Sequence, residues 1–250
     1  MDEASAFSFD MSYCGSPPTL DTLLGRWNLD PLLLLAFAVL AIAVALGLRR
    51  ATRRQQAGFA GAWLISAVLF ISPICALTVA LFSARVGHHV VLTMIVAPLL
   101  AWALPPAWAK RVPMLPALIV STAALWLWHA PDFYTAAFGH PAVYWAMQLS
   151  LLASFTALWM ALLRDPRPLG AGLGALSSAM QMGMLGALLV FAPRALYVPH
   201  LGTTMAFGFS PSEDQQLAGL IMWVPANLPL LVLALWRLLE AVLPRREALD

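Results

Sequence analysis

Seven apolar stretches, each close to the length that crosses a lipid bilayer, constrain this chain more than any other feature. They cover roughly residues 31–48, 58–82, 86–104, 114–128, 142–163, 173–192 and 217–243. A helix needs about 20 mostly apolar residues to cross about 30 Å of hydrocarbon, because every backbone polar group there must pair within the segment. The fourth stretch is short and borrows Trp126 and Trp128 as interfacial anchors. Strand-type alternation is absent, which excludes a β-barrel. Composition agrees: 61% of the 250 residues are hydrophobic and 10% are charged, against about 25% charged in soluble domains. A water-soluble globule, a disordered chain, a coiled coil and a nucleic-acid binder are excluded. The expected fold class is all-α, a polytopic membrane protein with a seven-transmembrane-helix bundle at 31–243. An exported tail precedes it at 1–30, and a cytoplasmic tail follows at 244–250.

Basic residues set the expected orientation. With the C-terminus inside, Arg49, Arg50, Arg53, Arg54, Lys110, Arg111, Arg164, Arg167, Arg237, Arg245 and Arg246 fall on the cytoplasmic side. Arg26, Arg85 and Arg194 fall outside, a split of 11 to 3 among the 14 basic residues. Short loops rich in Lys and Arg resist translocation, so an N-out, C-in arrangement is expected. The acidic tail, with Asp2, Glu3, Asp10, Asp21 and Asp30, is easily exported. It lacks a basic region before an apolar core, so no cleavable signal peptide is expected and the first helix directs insertion.

That topology gathers all five histidines, His88, His89, His129, His140 and His200, on the outer side, with Asp132, Glu213 and Asp214 near them. Imidazole and carboxylate ligands bind first-row transition metals, with copper at the top of the affinity order. Each also has a structural reading. A histidine at a helix end serves as an interfacial anchor. His88 and His89 point about 100° apart on a helix, so one would be a ligand and the other a supporting contact. Ser210-Pro211-Ser212-Glu213 reads as a capping box, which gives Glu213 a structural duty and leaves Asp214 with none.

Other polar and sulfur groups are ambiguous. Met180 and Met184 share a helix face and suit Cu(I), yet methionine in an apolar bundle is commonly core filler. Cys14 is either a soft ligand or paired with Cys75, and spacing does not decide; Cys75 alone reads as a small buried hydrophobe. Pro225 and Pro229 flank Asn227, so a kink is expected with the Asn227 amide on a freed carbonyl. No acidic or basic residue lies well inside a span, which argues against transporters and pumps. The single Lys110 lies in a cytoplasmic loop, and hydrolase and nucleotide-binding motifs are missing.

Three segments resemble the CtaG-like cytochrome c oxidase assembly factors, polytopic proteins of the bacterial inner membrane. The first is Phe82-Ser83-Ala84-Arg85-Val86-Gly87-His88-His89, running on to Ala97-Pro98-Leu99-Leu100. The second is Trp128-His129-Ala130-Pro131 with Tyr134 and Ala137. The third and most distinctive runs from Ser210 through Glu213, Asp214 and Gln215 to Trp223. The chain departs from that pattern at Arg85 and His88, where the family has histidine and glutamine. It departs again at Tyr144 and Gln148, where histidines are frequent. A set of His89, His129 and Asp214 survives these departures.

The resemblance implies a non-enzymatic assembly factor for haem–copper oxidase, working with oxidase subunits or other assembly factors. It also implies copper delivery or insertion at the outer face of the inner membrane. The candidate metal ligands are His89, His129 and Asp214, with His88 and Glu213 beside them. Two alternatives are a b-type cytochrome with His89 and His129 as haem ligands, and a copper or small-solute transporter using the Met180/Met184 face.

Overall fold

The structure, a computed structural model, describes residues 12–47, 51–105, 107 and 112–243. These residues are 79% helical and contain no strand. The acidic positions Asp2, Glu3 and Asp10, the basic positions Arg49, Arg50, Lys110, Arg111, Arg245 and Arg246, and the tail at 244–250 lie outside the described residues.

In chain order the helices are α1 (Pro31–Gly47), α2 (Arg53–Ile71), α3 (Ile74–Ala80), α4 (Phe82–Ala103), α5 (Met114–His129), α6 (Pro131–Gly139), α7 (Pro141–Arg164), α8 (Pro168–Phe191), α9 (Pro211–Trp223) and α10 (Leu228–Val242). By length and composition, four spans among the described residues suit a membrane: α4, α7, α8 and the α9–α10 pair. The number rises to six if each of two bent pairs is one span, and α1 is apolar but only 17 residues long. The expected helical membrane fold is therefore present, with four to six such spans among the described residues.

Prolines explain the breaks. α2 and α3 bend by 50° at Pro73, and α5 and α6 by 74° at Pro131. The residue before a proline is pushed out of the helical region, and Ala130 is extended with φ −70° and ψ 129°. Where proline instead stands first in a helix, its missing N–H costs nothing, as at Pro141, Pro168 and Pro211. Inside α4, Pro98 cannot continue the ladder, and a π turn occupies Leu92–Val96, with the Ala97 N–H reaching back to the Leu92 carbonyl. The Trp159 indole N–H meets the Thr93 carbonyl in that turn at 2.9 Å. The last span is interrupted between Trp223 and Leu228, and Asn227 donates to the Trp223 carbonyl at 3.0 Å, as its position between two prolines predicts.

Lipid is as apolar as leucine, so helices in a bilayer associate through close packing and small residues. α8 packs on both α9 and α10, and its inner face carries Gly172, Gly174, Ala175, Ser178, Ala179 and Gly186, all buried. A Cβ at Gly219 would lie 2.6 Å from the Gly186 carbonyl oxygen, so the two backbones touch. This packing turns Met180 and Met184 outward, 65% and 53% exposed. They fill no core, contrary to the core-filler reading of that face.

The two ends of the bundle differ. At one, Arg54 lies 4.0 Å over the Trp102 ring, and Arg164 donates to the Ala101 and Leu104 carbonyls at 2.9 Å. At the other, the described part of the tail folds onto the helices. Cys14 and Cys75 form a disulfide, Tyr13 stacks on Tyr144 at 4.9 Å, and the Asn28 N–H bonds the Ile71 carbonyl at 2.9 Å. Cys14 is thereby a crosslink rather than a free ligand, and Cys75 its partner.

Gly219→Ala should lower stability by about 1–3 kcal/mol, the usual penalty of overpacking. The thermal midpoint of the detergent-solubilised chain measures it, and Gly202→Ala, where a Cβ meets open space, is the control.

Candidate functional site

The site begins where α4 begins. Leu81 is extended, with φ −121° and ψ 130°, so α3 stops at Ala80 and α4 starts one residue later. The sequence reading opened this helix at residue 86; the observed start is earlier because its cap arrives from elsewhere in the chain. A helix start leaves its first N–H groups without partners, and Leu81 supplies no side-chain cap. The carboxylate of Asp214, fully buried, does so from α9. Its Oδ2 accepts from the Phe82 N–H at 2.6 Å, and its Oδ1 accepts from the Ser83 N–H at 3.2 Å and from the Ser83 hydroxyl. An anion at a helix N-terminus is also favoured by the helix dipole. Asp214 therefore has the structural duty that the sequence left unassigned.

Glu213, one residue earlier, is exposed and closes the expected capping box. Its carboxylate accepts from the Ser210 N–H at 2.8 Å, while the Ser210 hydroxyl accepts from the Glu213 N–H at 3.3 Å.

Capping fixes the face of α4 that carries Arg85, His88 and His89, all buried. His88 sets its ring edge-on to Phe70 at 4.9 Å between centroids, and both its nitrogens lack hydrogen-bond partners. The His88 and His89 rings are 5.9 Å apart, and the His89 and His129 rings 6.3 Å apart. His129 ends α5 at the proline break and is held from two sides. Its Nδ1 bonds the Leu125 carbonyl at 2.7 Å, and its own carbonyl accepts from the Tyr197 hydroxyl at 2.8 Å. A carbonyl only accepts, so Nδ1 carries a proton and the neutral ring leaves Nε2 as the lone-pair nitrogen. The Nε2 of His89 is buried and unpartnered.

The remaining histidines separate. His200 is buried and joins the Tyr134 hydroxyl through Nε2 at 2.6 Å, a contact the sequence did not reveal. His140 stands exposed before α7, and Asp132 is exposed in the first turn of α6. Among the described residues, no group of three or more His, Cys, Asp or Glu side chains is arranged to hold a metal. The structure thus brings together His88, His89 and His129, sets Asp214 on a helix end and turns Glu213 outward.

The family model described as cytochrome c oxidase caa3 assembly factor (Caa3_CtaG) matches residues 33–242. The chain belongs to this family. No curated protein and no solved structure matches it. The matched range takes in every helix except the first two residues of α1. It therefore includes all the segments on which the resemblance rested, and the role is that of an assembly factor for cytochrome c oxidase. In this assembly factor Arg85 and Tyr144, two positions where the resemblance implied a departure from the family pattern, lie together. Arg85 lies 5.3 Å from the Tyr144 ring centroid, His88 is one turn along α4 from Arg85, and Gln148 is one turn along α7 from Tyr144.

Two measurements check this geometry. Asp214→Asn removes the charge and one of the acceptor oxygens serving Phe82 and Ser83. It should cost about 1–3 kcal/mol, the range for buried hydrogen bonds to a charged group, read as a lower thermal midpoint. His200, in the loop before α9, has its pKa lowered to about 3, first by burial and then by the Arg85 charge. Below about pH 6.5 the unfolded chain binds a proton at this position that the folded chain refuses until about pH 3, so acid favours unfolding. Stability should fall between pH 6.5 and 4, and His200→Gln should flatten that slope.

Proposed function

We propose that this assembly factor receives copper as transient cargo between His89 and His129 and passes it to a haem–copper oxidase subunit. One observation carries the reading. Two imidazoles from different helices meet edge-on at 6.3 Å, His89 with a buried unpartnered Nε2 and His129 with Nε2 as its lone-pair nitrogen. With metal–nitrogen bonds of about 2.0 Å, two rings on opposite sides of one ion have centroids about 6 Å apart. A two-ligand site suits transfer, because a cargo ion must exchange ligands to leave, whereas four ligands would retain it. His88 stands close enough to act as an intermediate or supporting contact.

The same reading sets the histidine end on the outer face of the bacterial inner membrane, with seven crossings, the N-terminus outside and the C-terminus inside. Arginines at the opposite end support it through the positive-inside rule, and so does a disulfide at the histidine end, since such bonds persist in oxidising compartments. Oxidase subunits or companion assembly factors would meet the protein there.

The purified chain in detergent should bind about one Cu(I), and His89→Ala with His129→Ala should abolish binding while leaving the thermal midpoint within a few degrees. Unchanged stoichiometry in the double variant would discard the copper reading. The absorption spectrum of the same sample should lack a Soret band; its presence would favour haem ligation by the same pair.

A further inference from the structure

We propose that Arg85 is the seat of a small monovalent inorganic anion, of the halide class, enclosed at the histidine end of the bundle. The guanidinium is 1% exposed, and none of its three nitrogens has a hydrogen-bond partner. A buried charged donor without acceptors is among the costliest arrangements a protein can hold. Arg85 stands 5.1 Å from the Phe138 ring and 5.3 Å from the Tyr144 ring, with the Tyr134 and Tyr144 hydroxyls near it. Ring faces offset part of the charge but leave the five N–H donors unused.

Asp214 offers no remedy, because both its oxygens are engaged with Phe82 and Ser83. Its lone pairs are spent on a helix end.

The surroundings point to an acceptor ligand. His88 has two buried unpartnered nitrogens, and Gln148, 1% exposed, has both amide atoms unpartnered. The Tyr144 hydroxyl has a long contact of 3.7 Å with Cys14 Sγ and lies near Gln148 and Arg85. Together these groups offer more donors than acceptors: a guanidinium, an amide NH₂, a ring N–H and a phenol. One sphere of negative charge with no directional demand satisfies several of them at once. The burial of Arg85, His88 and Gln148 favours a small ion over a lipid headgroup or a partner's side chain. An anion here also offsets positive charge arriving at His89, one turn further along α4, although the inference holds without copper.

The test uses the full chain in detergent, copper-free and at constant ionic strength, in sodium chloride or bromide against sodium gluconate. The thermal midpoint should rise saturably with either halide and stay flat in gluconate. X-ray absorption at the bromine edge should find about one bromide retained per chain after desalting. Arg85→Gln should abolish both effects and Arg85→Lys should restore part of them. Gln148→Leu should weaken halide binding about tenfold, the equivalent of one buried hydrogen bond. Should Arg85→Gln fail to fold, the bromide count and the Gln148→Leu titration decide alone. Equal midpoints in chloride and gluconate, with no bromide retained, overturn the proposal. Loss of copper binding in His89→Ala/His129→Ala with halide binding intact would separate this site from the copper site.

Discussion

A carboxylate meeting the bare N–H groups of a helix end is the contact on which the functional end of this protein depends. Because Leu81 is extended, α4 starts afresh at Phe82 with no cap of its own. The cap comes from Asp214, 132 positions away in sequence from Phe82, in a setting where a charge-assisted hydrogen bond is much stronger than in water. α9 thereby fixes where α4 begins. The start of α4 fixes where Arg85, His88 and His89 face, and that in turn sets the approach of His89 to His129. The carboxylate that the sequence offered as a metal ligand locates the histidine cluster.

How much was legible follows the range of the interactions involved. Local signals read correctly: the Ser210/Glu213 capping box, the Asn227 bond beside two prolines, and the helical segments whose apolar runs exceed what a soluble helix needs. Distant ones did not. The true start of α4 was hidden because its cap lies in another helix. Arg85 read as a loop residue, since the run from Phe82 to His88 looks polar until Asp214 makes it helical. The Cys14–Cys75 pairing had no signature, because spacing between cysteines carries no information about which ones meet. Met180 and Met184 do not pack in the core, because hydropathy cannot distinguish a residue facing protein from one facing lipid.

The two ends of the bundle use opposite solutions to the same problem of polar groups at a membrane boundary. At the arginine end, guanidinium groups lie over exposed helix carbonyls, as Arg164 does at Ala101 and Leu104, which suits the negative end of a helix dipole. At the histidine end the polar groups are enclosed, and many are left without partners from the chain itself. A protein whose role is to support the maturation of another complex has reason to keep such groups uncommitted, since any ion or chain it handles must be released again.

The π turn at Leu92–Val96 bears on that arrangement. It accommodates one more residue than a regular turn would, so the residues before it in α4 face about 100° away from where an unbroken α-helix of the same sequence would put them. Straightening this turn into ordinary helix with all its residues kept would leave every imidazole in the chain. It would also swing His89 away from α5 toward a different neighbour. The pairing of the two rings is thus encoded in a spacer that contributes no ligand atom.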